Sequence, residues 1–124
     1  MEAKEEAKQA KEAAKEAAKA ERREKAAIRT LAHRALPRCS LLATKLEGAL
    51  NHPQASKVPG FAVKAVRQSS ANVDRMLQAS KKYLSGAITS LPFTLDDLST
   101  VAASAESNSQ LMATMAAAAA KHVG

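Results

Sequence analysis

An all-α protein, a long charged N-terminal helix followed by a small three-helix bundle, is expected from three features of this 124-residue chain. Residues 2–27 are almost wholly Ala, Glu, Lys, Gln and Arg, the side chains that lose least freedom on entering a helix. Beyond them, larger apolar residues recur three and four positions apart rather than in alternation. Aromatic residues are limited to one Tyr and two Phe, with no Trp and four Gly, which argues against a β-sandwich, a barrel or a glycine-rich phosphate loop.

The apolar inventory is thin. Alanine accounts for 29 residues, while Ile, Leu, Val and Phe together number 22. With a net charge of +7, that composition lies at the edge of what folds alone, so one small domain is the most expected, with an oligomer or larger assembly as a further source of stability.

The first element, residues 1–36, is read as a helical arm. No Gly or Pro precedes Pro37, and at 1.5 Å per residue the helix is about 50 Å long, more than a domain of this size is wide. At 100° per residue it sorts into three stripes. Lys4, Lys8, Lys11, Lys15, Lys19 and Arg22 form one, Glu5, Glu12 and Glu16 a second, and Ala3, Ala7, Ala10, Ala14 and Ala17 a third. Correctly oriented pairs such as Glu5–Lys8, Glu12–Lys15, Glu16–Lys19 and Glu21–Lys25 contribute about 0.2 to 0.5 kcal/mol each to an isolated helix. The alanine stripe has coiled-coil spacing but buries little, and Glu21 and Glu24 interrupt it, so a solvated spacer is preferred to a zipper. In composition alone the tract resembles the alanine, glutamate and lysine helices that serve as stalks in many proteins.

Residues 37–124 are read as the bundle. Pro37 is placed to end or kink the arm's helix and to open a helix over 37–50, with Cys39, Leu42, Leu46, Ala49 and Leu50 on one face. The stretch 51–60, with two prolines, one glycine and no helical period, reads as a loop. A central helix is expected over 61–90, with Ala62, Val66, Val73, Met76, Leu77, Leu84, Ala87, Ile88 and Leu91 on its apolar arc and Gly86 inside it; Ser69, Ser70 and Ser80 thin that face. Thr94-Leu95-Asp96-Asp97 then carries a capping signature, with Phe93 and Leu98 spaced as a hydrophobic staple. A last helix over 95–122 follows, with Leu98, Val101, Ala102, Ala105, Met112, Met115, Ala116, Ala119 and Val123 on one face and Lys121, His122 and Gly124 at its end.

Charge is uneven, with the excess concentrated in the middle of the chain. Lys64, Arg75 and Lys82 share a narrow stripe with Arg67 and Lys81 beside it, and Arg22, Arg29 and His33 extend the arm's lysine stripe. These residues are candidate contacts for a partner or a polyanion. With few aromatics to stack and no base-reading motif, binding to nucleic acid is expected to be nonspecific and salt-sensitive.

Reactive chemistry is sparse. His33, His52 and His122 stand far apart and none is at metal-site spacing from Cys39, so no metal and no cofactor is expected. Cys39 lies beside Arg38, where positive potential lowers a thiol pKa, yet it also lies on the apolar stripe, which favours a buried, inert thiol. Asp96 and Asp97 point about 100° apart and are accounted for by capping. A lone cysteine excludes a disulfide framework, and the acidic start resembles neither a secretion signal nor a transit peptide. The longest charge-free, mostly apolar run, Leu111 to Ala120, is half of the roughly 20 residues that cross a bilayer. The expectation is a soluble intracellular protein, cytoplasmic or nuclear. It is expected to be a non-enzymatic helical interaction or structural module with a protein partner, the alternative being a nonspecific polyanion binder through residues 64–82.

Overall fold

The computed structural model describes residues 2–121, with side-chain surroundings from Lys4 onward. Three helices make up the fold: α1 (Glu2–Leu50), α2 (Gly60–Leu84) and α3 (Leu95–Lys121). His122, Val123 and Gly124, expected to close the last helix, lie outside the described residues, as does the side chain of Ala3.

The break expected at Pro37 does not occur. Helix α1 runs unbroken through it, so the arm over 1–36 and the helix over 37–50 are one element. Proline removes a single hydrogen bond, to the carbonyl of His33, and crowds that carbonyl. Both Pro37 and His33 are exposed, and the buried seam of Ala32, Ala35, Cys39, Leu42, Leu46 and Ala49 holds the helix on either side. Tertiary packing outweighs the local penalty.

Helix α2 stops at Leu84, six residues short of the expectation. Gly86 is not interior; it adopts φ +84° just past the helix end. Its N–H donates to the carbonyl of Tyr83 at 3.1 Å and that of Ala87 to the carbonyl of Lys82 at 2.8 Å, the paired bonds of a Schellman cap. The apolar period misled because Ile88 and Leu91 are half-buried from an irregular connection, while Ala87 is exposed. The loop expected over 51–60 contains a single 3-10 turn, Ala55–Lys57, and yields Gly60 to α2.

Helix α3 begins as the capping signature requires. The Thr94 hydroxyl accepts from the N–H of Asp97 at 3.2 Å, and the Asp97 carboxylate accepts from the N–H of Thr94 at 2.9 Å. Phe93 and Leu98, on either side of the cap, are both buried.

The helices pack up, down and up. Glu24 to Arg34 of α1 lie near Leu91 to Leu95, and Lys45 to His52 near Ser109 to Ala113, so α1 and α3 run parallel with α2 reversed between the connections. Each contributes a seam spaced alternately three and four residues apart. In α3 it comprises Leu98, Ala102, Ala105, Ser109, Met112 and Ala116. Small residues dominate all three seams, which lets backbones approach closely but limits the apolar area each position removes from water. Buried polar groups are satisfied within the bundle. Asn108 donates its side-chain N–H to the Ser69 hydroxyl at 2.9 Å, tying α3 to α2, and the Ser80 hydroxyl donates to the carbonyl of Met76 at 2.8 Å.

Residues Lys4 to Ala27 are all exposed, and Glu24 and Lys25 are the first to line clefts shared with the bundle. About 30 Å of α1 therefore stands clear of it. Of the four ion pairs expected along the arm, Lys25–Glu21 is closed, at 3.4 Å, and is the one salt bridge among the described residues.

Candidate interaction surfaces

Where α1 leaves the bundle, its side wall and the start of α3 enclose a groove of about 450 Å³. Ile28 and Leu31 form one bank and Leu91, Phe93 and Leu95 the other, with Glu24 and Arg34 at the margins. The groove lies where the end of the connection from α2 and the first turn of α3 meet the side of α1, next to its solvated part. Leu95, in the first turn of α3, is 54% exposed. Such a surface can accept apolar side chains from another helix.

The seven basic residues singled out in the sequence, Arg22, Arg29, Lys64, Arg67, Arg75, Lys81 and Lys82, are all exposed. Lys64 and Arg67 are brought together on the rim of a cavity of about 680 Å³, described below. Arg29 joins Lys25 in a cleft of about 440 Å³ against Tyr83, Ser85, Gly86 and Thr89, at the end of α2 whose last turn carries Lys81 and Lys82. Those two lysines oppose the negative end of the helix dipole. Arg75 donates to the side-chain oxygen of Asn72 and lies beside Pro92, Phe93 and Val101. Arg22 is on the free part of the arm. The cations thus group by position along the bundle rather than merging into one strip.

The larger cavity is built by the connection between α1 and α2 folding over the bundle end. Leu50, Val58, Val63 and Met112 supply its apolar lining and Asn51 and Ser56 part of its polar edge. Met112 and Val58 are buried, Leu50 and Val63 half-buried. Lys64 and Arg67 are its charged residues; no carboxylate lines it. Helix α2 starts beside it at Gly60 with no side-chain cap and no acid in its first turn. Sequence reasoning found the two cations but missed Val58, an isolated apolar residue in a proline-rich loop, and Asn108, a polar residue on the margin of an apolar face.

Cys39 is fully buried, and burial pushes its thiol pKa up; the positive charge of Arg38, which acts the other way, is the smaller influence. The thiol packs there among the apolar side chains of the core. His52 accepts the backbone N–H of Gln54 at its Nδ1, 3.0 Å away, and so helps shape the connection. Among the described residues, no group of three or more His, Cys, Asp or Glu side chains is placed to hold a metal ion. Among the described residues, no helix is long and apolar enough to cross a membrane. No family model, characterised protein or solved structure matches the chain.

Proposed function

We propose that this chain is a non-enzymatic helical interaction or structural module, with the free part of α1 acting as a spacer or docking arm and the bundle as its base. The observation that carries this reading is the unbroken passage of α1 from the packed bundle into about 30 Å of solvated helix. An isolated helix gains little from helix propensity alone, so a long exposed one joined rigidly to a bundle is suited to hold something at a distance or present a surface to it. The apolar groove at the base of the arm supports the same reading, since a helix bound there would contact arm and bundle together. The partner is a protein or a larger assembly, in the cytoplasm or nucleus, where Cys39 stays reduced.

The test is capture of partners by the full chain and by a variant lacking residues 1–27, with thermal melts run on both. A partner lost on truncation while the bundle still melts cooperatively assigns docking to the arm. An identical partner set for both chains refutes that role.

A second reading, a nonspecific polyanion binder, is favoured by the exposure of Lys64, Arg67, Arg75, Lys81 and Lys82. Under it, affinity for a polyanion falls steeply between about 50 and 300 mM salt; affinity independent of salt removes it.

A further inference from the structure

We propose that the cavity beneath the connection between α1 and α2 binds a small amphipathic anion, a single carboxylate or phosphate head carried on an apolar body. Its volume of about 680 Å³ lies within the range of small-molecule sites. Its walls divide by chemistry. Leu50, Val63 and the edge of Val58 present an apolar lining over the fully buried Met112, and Lys64 and Arg67 stand on the rim.

The two cations are three residues apart on α2 and therefore neighbours on the helix surface, where like charges repel. Neither has a salt bridge among the described residues, and no acid lines the cavity to neutralise them. An anionic head placed between them relieves that repulsion and gains charge-assisted hydrogen bonds, which are shorter and stronger than neutral ones. The uncapped start of α2 adds potential of the same sign. The apolar lining selects against a fully hydrated anion and for one with a hydrocarbon body. No aromatic side chain lines the cavity, so a nucleobase would have nothing to stack on.

The experiment is an NMR titration of the full chain with decyl phosphate and decanoate below their micelle concentrations, with decanol and inorganic phosphate as single-feature probes. Both amphipathic anions are expected to shift the amides of Asn51, Ala55, Val58 and Lys64 and the methyl of Met112. Decanol and phosphate should each bind at least about tenfold more weakly, because each lacks one of the two contributions. Lys64→Gln/Arg67→Gln, at exposed positions, is expected to weaken both anions by about tenfold or more while leaving far-UV circular dichroism and the melt unchanged. Ser56→Glu, which adds a repelling charge at the edge, should weaken them independently. Several results would overturn the proposal: no binding, equal affinity for decanol, shifts centred on the groove at the base of the arm, or full affinity in the folded double variant.

Discussion

Replacing Pro37 with alanine is expected to stabilise the protein substantially. Pro37→Ala restores an N–H donor to the carbonyl of His33 and removes the ring that crowds it. Interior proline costs about 3 kcal/mol relative to alanine in a helix. Because the Pro37 side chain is exposed, no buried contact is lost. Because that carbonyl belongs to an exposed residue, its solvation in the proline-containing chain would trim the gain to about 2 kcal/mol. For a cooperative unit of about 100 residues this corresponds to a rise in Tm of roughly 8 to 16 °C. Paired thermal and urea melts followed by circular dichroism would measure it, with an unchanged urea slope showing that the surface exposed on unfolding is the same. A midpoint unchanged or lowered would refute the account of α1 as one helix held together by its buried seam, because it would mean that residues on either side of Pro37 are not in continuous helical register.

Three further outcomes can be measured with the same methods. Leu46→Ala empties a fully buried position in a core with few large side chains and should cost about 2 to 5 kcal/mol, enough to leave a marginal domain largely unfolded. Thr94→Ala should cost about 1 kcal/mol, and adding Asp97→Ala should cost less than the sum of the two, since both act through the same reciprocal cap. Cys39 should make stability fall in alkali. Its folded thiol ionises above the usual value of 9.0, so the unfolded chain gives up its proton first; stability is steady below that pH and declines as pH rises through it, until the folded thiol ionises too. Cys39→Ala should flatten the decline, and alkylation of the native thiol should be limited by opening of the bundle.

Local signals in the sequence hold in the structure where they act within a few residues. The Thr94–Asp97 cap depends on two side chains and two N–H groups three positions apart, and it forms as spaced. The helical faces of Cys39 to Ala49 and Ala62 to Met76 likewise follow from the 3.6-residue period. Errors arose where distant contacts decide. Pro37 carries a strong local penalty, overcome by a seam whose partners lie in α2 and α3. Ile88 and Leu91 continue the period of α2 but are partly buried from a connection, and the competing signal is a glycine, Gly86, which suits a cap position better than a helix interior. The cavity was illegible because Val58 and Met112, more than fifty residues apart, become neighbours only when the bundle closes. Lys64 and Arg67 were visible as charge, whereas their apolar floor was not.

The unbroken course of α1 also fixes azimuth as well as reach. A residue inserted between positions 4 and 23 would turn everything on the far side by about 100° and advance it by about 1.5 Å. Seven inserted residues would restore the bearing to within about 20° while adding roughly 10 Å. Under the proposed docking role, a partner on the arm would meet a compass heading set by the bundle, and changes of length that respect the helical repeat should be tolerated far better than smaller ones that do not.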